Sequence, residues 1–101
     1  MTISVLIADD HAIVRDGLRL LLETQPDIQV VGEAANGREA FQKVRKLRPD
    51  IVLMDIAMPE LNGIDATREI IAVSPATRVI VLSMHTSREH IYRALQAGAA
   101  A

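Results

Sequence analysis

The sequence predicts an α/β domain built on an open sheet of parallel strands. Three observations point to it. Four short aliphatic runs, at 4–8, 28–34, 51–56 and 78–84, are rich in β-branched residues and bounded by Asp, Pro, Gly or Asn, as buried strands are. Segments with apolar residues at helical spacing lie between them. The connections are short, and strands that alternate with helices run parallel through right-handed crossovers. A chain of 101 residues suits one domain.

Each element follows from its residues. The first strand, "SVLIA", ends in Asp9, Asp10 and His11. In "IVRDGLRLLLETQ", Val14, Leu18, Leu21 and Leu22 fall on one helical stripe. The second run, "DIQVVGEA", is more polar than the others and reads as an edge strand. In "NGREAFQKVRKLRP" the stripe is Ala40, Phe41, Val44 and Leu47, with Asn36 placed as a cap and Pro49 just past the end. The third strand, in "DIVLMDIAMPELNG", carries Asp55 at its end. "NGIDATREIIAVSP" lines up Ile64, Thr67, Ile70 and Ile71, with Pro75 beyond. The fourth strand, "VIVLSMH", delivers Ser83, Met84 and His85. In "SREHIYRALQAG", Ile91, Ala94 and Leu95 form a narrow stripe that ends near Gly98, so this helix is expected to dock lightly. Three of the four strands are apolar almost throughout, which predicts a sheet covered on both faces.

Composition excludes several classes of function. Half of the residues are hydrophobic but only 2% are aromatic, so the core must be aliphatic. A net charge of −2 offers no bulk attraction for nucleic acid. No cysteine is present, hence no disulfide framework and no thiolate metal site. No basic leader precedes an apolar run, and no apolar run approaches the ~20 residues of a membrane span. These features predict a soluble, cytoplasmic domain with no membrane partner.

Ligands of open α/β sheets bind at the carboxyl ends of the strands, where strand order reverses. If the first, third and fourth strands are neighbours, Asp9, Asp10, Asp55 and Ser83 converge on one rim. Three close carboxylates call for a cation, and an oxygen-rich, sulfur-free set suits a hard ion such as Mg²⁺. A carboxylate can also accept a phosphoryl group, and a hydroxyl can hydrogen-bond it. Plainer readings stand beside this one. Asp9 and Asp10 can cap the first helix, Asp55 can serve a turn before Pro59, and Ser83 can be a loop hydroxyl. His11, His85 and His90 are candidate zinc ligands, but no ligand pair sits on one element. Solvated or structural histidines are the simpler reading.

Taken together, "VLIADDHAIVRDGL", "GEAANGREAF", "DIVLMDIAMPELNGID" and "VIVLSMH", at their spacing, resemble the receiver domain of two-component response regulators. The "ADDH" and "LSMH" forms, with "VVGEAANG", are most similar to the subfamily with a LuxR-type (NarL/FixJ-like) DNA-binding output. The resemblance implies a doubly wound, flavodoxin-like parallel sheet with strand order 2-1-3-4. It implies that Asp55 is the phosphoacceptor and Ser83 the switch hydroxyl. Asp9, Asp10, Asp55 and the backbone carbonyl of Ala57 would hold Mg²⁺, while Pro59 and Gly63 shape the loop after the acceptor. The phosphoryl donor would be phosphohistidine on a sensor histidine kinase. DNA would be reached only through an output domain that lies outside this chain. The domain would catalyse only its own phosphorylation and dephosphorylation, so it is not an enzyme acting on an external metabolite.

One departure is large. Receivers of this kind have a fifth strand carrying a lysine, then a fifth helix, and this sequence stops at "QAGAAA". Lys43 and Lys46 lie on the second helix and do not replace that lysine. Without it, a phosphorylated site would hold roughly −1.5 to −2 uncompensated charge, against about −1 with it. Weaker phosphoryl retention or slower phosphorylation is therefore expected, and either association through a stripped sheet edge, giving a homodimer or exchanged elements, or an intact protein longer than this sequence. Two other functions remain in view. One is a phosphorylation-independent interaction domain that keeps the fold. The other is an aspartyl-phosphate phosphohydrolase, which would need an acid/base carboxylate where Ala57 stands.

Overall fold

The β-branched runs pair as one parallel sheet, and the amphipathic segments between them become its crossovers. The computed structural model describes residues 2–55 and 63–82. They form β1 (Ile3–Ala8), α1 (Ala12–Glu23), β2 (Ile28–Ala34), α2 (Gly37–Leu47), β3 (Ile51–Asp55), α3 (Gly63–Val73) and β4 (Arg78–Leu82). The strand order is β2-β1-β3-β4 and every pairing is parallel. The polar second run does lie at an edge. Met84, His85 and the helix expected in "SREHIYRALQAG" lie outside the described residues.

The first crossover leaves β1 for β2, and the second returns from β2 past β1 to β3. With one handedness, these two moves put α1 and α2 on opposite faces. On the α2 and α3 face a dry core assembles. Leu6, Ala8, Ala34, Val52, Met54 and Val79 of the sheet pack with Ala40 and Val44 of α2 and Ala66 and Ile70 of α3. Phe41, Ile71 and Val81 close its margin.

Among the described residues the α1 face is more thinly covered than the other, although Ile7 of β1 is fully buried. No residue of α1 is buried. Leu18 and Leu22 are half-buried, as are Ile51, Leu53 and Ile80 on the strands. Val14 and Leu21, expected on the packed stripe, are exposed. With Ile13 (86% exposed), Leu20 (69%) and Gly17 they line an outward strip. The helix is apolar over a wide arc, so periodicity alone did not fix which part turns inward. Arg15 and Arg19 turn inward with Leu18 and Leu22, and β2 explains why.

A bulge in β2 sets that orientation. Val5 pairs with Val30, but Leu6 pairs with Gly32, Ile7 with Glu33 and Ala8 with Ala34. Val31 is the extra residue. Because side chains alternate along a strand, a one-residue slip exchanges faces. The bulge therefore aligns Glu33 with Ile7, toward α1, and Ala34 with Ala8, in the core. At Gly32 an added Cβ would stand 3.2 Å from both Leu6 Cδ1 and Leu47 Cδ1, so any side chain there would press on both leucine tips.

The amino end of the sheet is tied by hydrogen bonds. Ser4 N and Ser4 Oγ donate to Asp50 Oδ2 at 2.9 and 3.0 Å, and Asp50 N donates to Ser4 O at 3.0 Å. Thr77 Oγ1 donates to Pro49 O at 2.7 Å. These bonds leave the opposite, carboxyl end for chemistry. At that end α2 begins with the expected cap, Asn36 Oδ1 accepting from Glu39 N at 2.8 Å.

Candidate functional site

Ala8 pairs with Met54, and Asp55 pairs with Leu82. β1 and β3 therefore end at the same level, and the residues just past Ala8 stand beside Asp55. Asp9, Asp10, His11 and Asp55 each offer one ligand atom, and these atoms lie within 4.8 Å of one another. Three of the predicted site residues thus meet on one rim. Ser83, directly after Leu82, and Ala57, two past Asp55, lie outside the described residues, as does Pro59. Gly63 opens α3.

The hydrogen bonding at the start of α1 shows that neither acid caps the helix. The N-cap residue is His11, and it makes no side-chain capping bond. Asp9 Oδ1 instead accepts from His11 N at 2.8 Å, a tight turn ahead of the helix. Asp9 is largely buried, with Asp9 N donating to Ala34 O at 3.0 Å. Asp10 is exposed. A cap needs one oxygen aimed at the first helical amides. Two acids aimed at a third across the sheet are a different arrangement.

His11 is the residue that sequence reasoning set aside. Its Nδ1 lies 3.1 Å from Asp9 Oδ1 and 3.0 Å from Asp10 Oδ1. With a proton on it, Nδ1 donates to Asp9, and the imidazolium forms an ion pair with Asp10. Its pKa is raised, first by the hydrogen bond to Asp9 and then by the charge of Asp10. The adjacency of "DDH" was the available signal, but the two-residue reach back across a turn is not readable from spacing. The group does not resemble a zinc site, because the other donors near this one imidazole are carboxylates. A sulfur-free set dominated by carboxylate oxygens fits a hard cation that keeps much of its water.

Comparison with known proteins shows the family. The family model "Response regulator receiver domain" matches residues 5–101. The chain belongs to the response regulator receiver domain family. It is 52% identical over 97 residues to the uncharacterized transcriptional regulatory protein YhcZ of Bacillus subtilis, covering 96% of this chain and 45% of that protein. The chain spans about half the length of the curated relatives it matches. Among solved structures, a LuxR-family two-component response regulator from Aurantimonas superposes with a TM-score of 0.92 at 41% identity, covering 98% of this chain and 71% of that one. The CheX–CheY–BeF₃–Mg²⁺ complex from Borrelia burgdorferi gives 0.88 at 30%, covering 97% and 74%. Receivers form a regulatory family, and this one has relatives among transcription regulators. No helix among the described residues is long and apolar enough to cross a membrane.

Within this receiver, one further set of contacts reaches the site. Arg15 Nη1 donates to Asp9 O at 2.6 Å, and Arg15 Nε donates to Glu33 Oε1 at 3.2 Å. Arg19 Nε donates to Glu33 Oε2 at 2.8 Å. The Glu33 carboxyl is held below its usual range, chiefly by the hydrogen bond from Arg19, and Arg19 is raised in turn. Lys43 Nζ donates to Glu33 O from the opposite face. The resemblance assigned no role to Arg15, Arg19 or Glu33. Only the bulge, which sequence does not reveal, brings them together.

Proposed function

We propose that the chain is a phosphorylation-controlled receiver in which Asp55 is the phosphoacceptor. Asp9, Asp10, Asp55 and the backbone carbonyl of Ala57 are the groups that would hold Mg²⁺. When bound, Mg²⁺ neutralises charge that builds on the transferring group. The observation that carries this reading is the meeting of Asp9, Asp10 and Asp55 at the ends of β1 and β3.

The transfer balances simply. An Asp55 carboxylate oxygen forms a bond to phosphorus, and the P–N bond of a phosphohistidine on a sensor histidine kinase breaks. The departing imidazole keeps the electron pair and takes a proton from water. The product is an acyl phosphate on Asp55, and the Ser83 hydroxyl is the group to donate to one of its oxygens. His11 and Asp9 shape the floor of the site through the turn that joins them. The domain turns over no external metabolite.

The neighbouring CheY complex is described with both BeF₃ and Mg²⁺, which supports the same ligands here. In a protein of the relatives' length, the receiver would control a DNA-binding output in the cytoplasm. A second reading, a phosphorylation-independent interaction or homodimerisation domain, is favoured by one observation, the exposed apolar strip on α1. Beryllofluoride titration with and without Mg²⁺ separates the two. The phosphoacceptor reading expects Mg²⁺-dependent binding that Asp55→Asn abolishes. Association that is the same with and without both ligands, and no beryllofluoride binding, would leave the interaction reading.

A further inference from the structure

Asp9 is fixed from three directions, and only one of them comes from an immediate sequence neighbour. Its N–H is bonded to Ala34 O across the sheet, and its side chain is bonded to His11 N. Its carbonyl is held by Arg15 Nη1 at 2.6 Å. That carbonyl belongs to the peptide unit joining Asp9 to Asp10. The orientation of that unit sets where the Asp10 carboxylate points. A ligating side chain must be held to about 0.5 Å and 10–20° to bind well.

Arg15 is in turn fixed by Glu33, through the bulge that aligns Glu33 with Ile7 on the α1 side. The Arg15 and Glu33 side chains are 19% and 26% exposed, so the pair is largely shielded from water. A guanidinium can bond a carbonyl and a carboxylate at once in a planar fork, which an ammonium cannot do with the same geometry.

From these contacts we infer that Arg15, braced by Glu33, is a positioning residue that holds the Asp9–Asp10 peptide in its cation-binding orientation. This role rests on the proposed Mg²⁺ site. It extends that site to β2 at the sheet edge and gives the bulge a function. It also predicts a difference between two arginines that share one carboxylate. Arg15 touches Asp9, whereas the Arg19 bonds run to Glu33 and Glu23.

The test is a Mg²⁺ titration of the 101-residue chain followed by amide NMR, with thermal unfolding in chelator measured alongside. Arg15→Ala is expected to weaken Mg²⁺ binding about tenfold, in the range for residues that orient metal ligands. It should also shift the Asp9 and Asp10 amides before any metal is added. Arg15→Lys should recover part of that loss. Arg19→Ala should change thermal stability as much as Arg15→Ala while leaving Mg²⁺ affinity within about twofold of wild type. Should Arg15→Ala not fold, Glu33→Gln reads the same brace, with an expected loss of about threefold. Equal affinity in wild type and Arg15→Ala, or equal losses in the two arginine variants, would overturn the proposal. No Mg²⁺ response in wild type would overturn the metal-site reading and this role with it. Wild-type binding that Asp10→Asn abolishes but the Arg15 variants leave intact would overturn this role alone.

Discussion

The two faces of the sheet are built by different physics. On one face α2 and α3 seal Leu6, Val52, Met54 and Val79 from water. The joint is almost wholly aliphatic. On the other face Ile7 of β1 is buried but no residue of α1 is, and Glu33 of β2 bonds two of the helix's arginines. Its most exposed side is its most apolar one. The comparison teaches where stability and function are divided. The α2 and α3 face fixes the strands. The α1 side, held by charge and hydrogen bonds, aims the residues that follow β1.

The sharpest way to break the comparison is to cut each face. Leu6→Ala should lower unfolding free energy by about 2–5 kcal/mol, because a fully buried side chain is removed and its cavity only partly closes. Denaturant titration measures it, and a loss below about 1 kcal/mol would mean the core is not where stability lies. The next effect concerns the helix starts. Asn36→Ala should cost about 1 kcal/mol, since it removes the capping oxygen from α2. His11→Ala should cost less than Asn36→Ala in the same assay, because α1 has no such side-chain cap to lose.

A smaller effect is pH-dependent. The Glu33 carboxyl titrates below its ordinary value, 4.5, so the folded state favours its ionised form. The stability it contributes is therefore complete above about pH 4.5 and is lost as pH falls through the lowered value. Wild type minus Glu33→Gln should show a difference of a few tenths to about 1 kcal/mol near neutrality. That difference should shrink as the solution is acidified below the ordinary value. A difference that grew on acidification would contradict the assigned charge pairing. Smallest of all, Leu20→Ser on the exposed strip of α1 should change stability by no more than about 0.5 kcal/mol. A large loss would show that strip to be covered.

Much of this was legible in the sequence. All four strands lie where their β-branched runs predicted, and the polar composition of "DIQVVGEA" marked the edge. Asn36 caps α2 as its position implied. Asp9, Asp10 and Asp55 converge because strand ends collect on one rim in a parallel sheet. The rotation of α1 was not legible. Ile13, Val14, Leu18, Leu20, Leu21 and Leu22 spread around too much of the helix for periodicity to choose a face. The choice is made by Glu33, whose side of the sheet depends on the extra residue at Val31. Gly32 hints at an irregular strand, but a glycine does not say which way the register slips. His11 was similarly hidden, since its role depends on a turn that brings Nδ1 back to two acids.

The measurement that bears most directly on the central claim is phosphoryl incorporation from acetyl phosphate, read by intact mass and peptide mapping with and without Mg²⁺. The account predicts one phosphoryl group on Asp55 that requires Mg²⁺ and is released by base and by hydroxylamine, as an acyl phosphate is. Asp55→Asn should remove the labelling, and Asp10→Asn should sharply reduce it. Labelling that survives in Asp55→Asn, or a wild-type chain that Mg²⁺ does not enable to react, would contradict the assignment of these three carboxylates to one phosphoacceptor site.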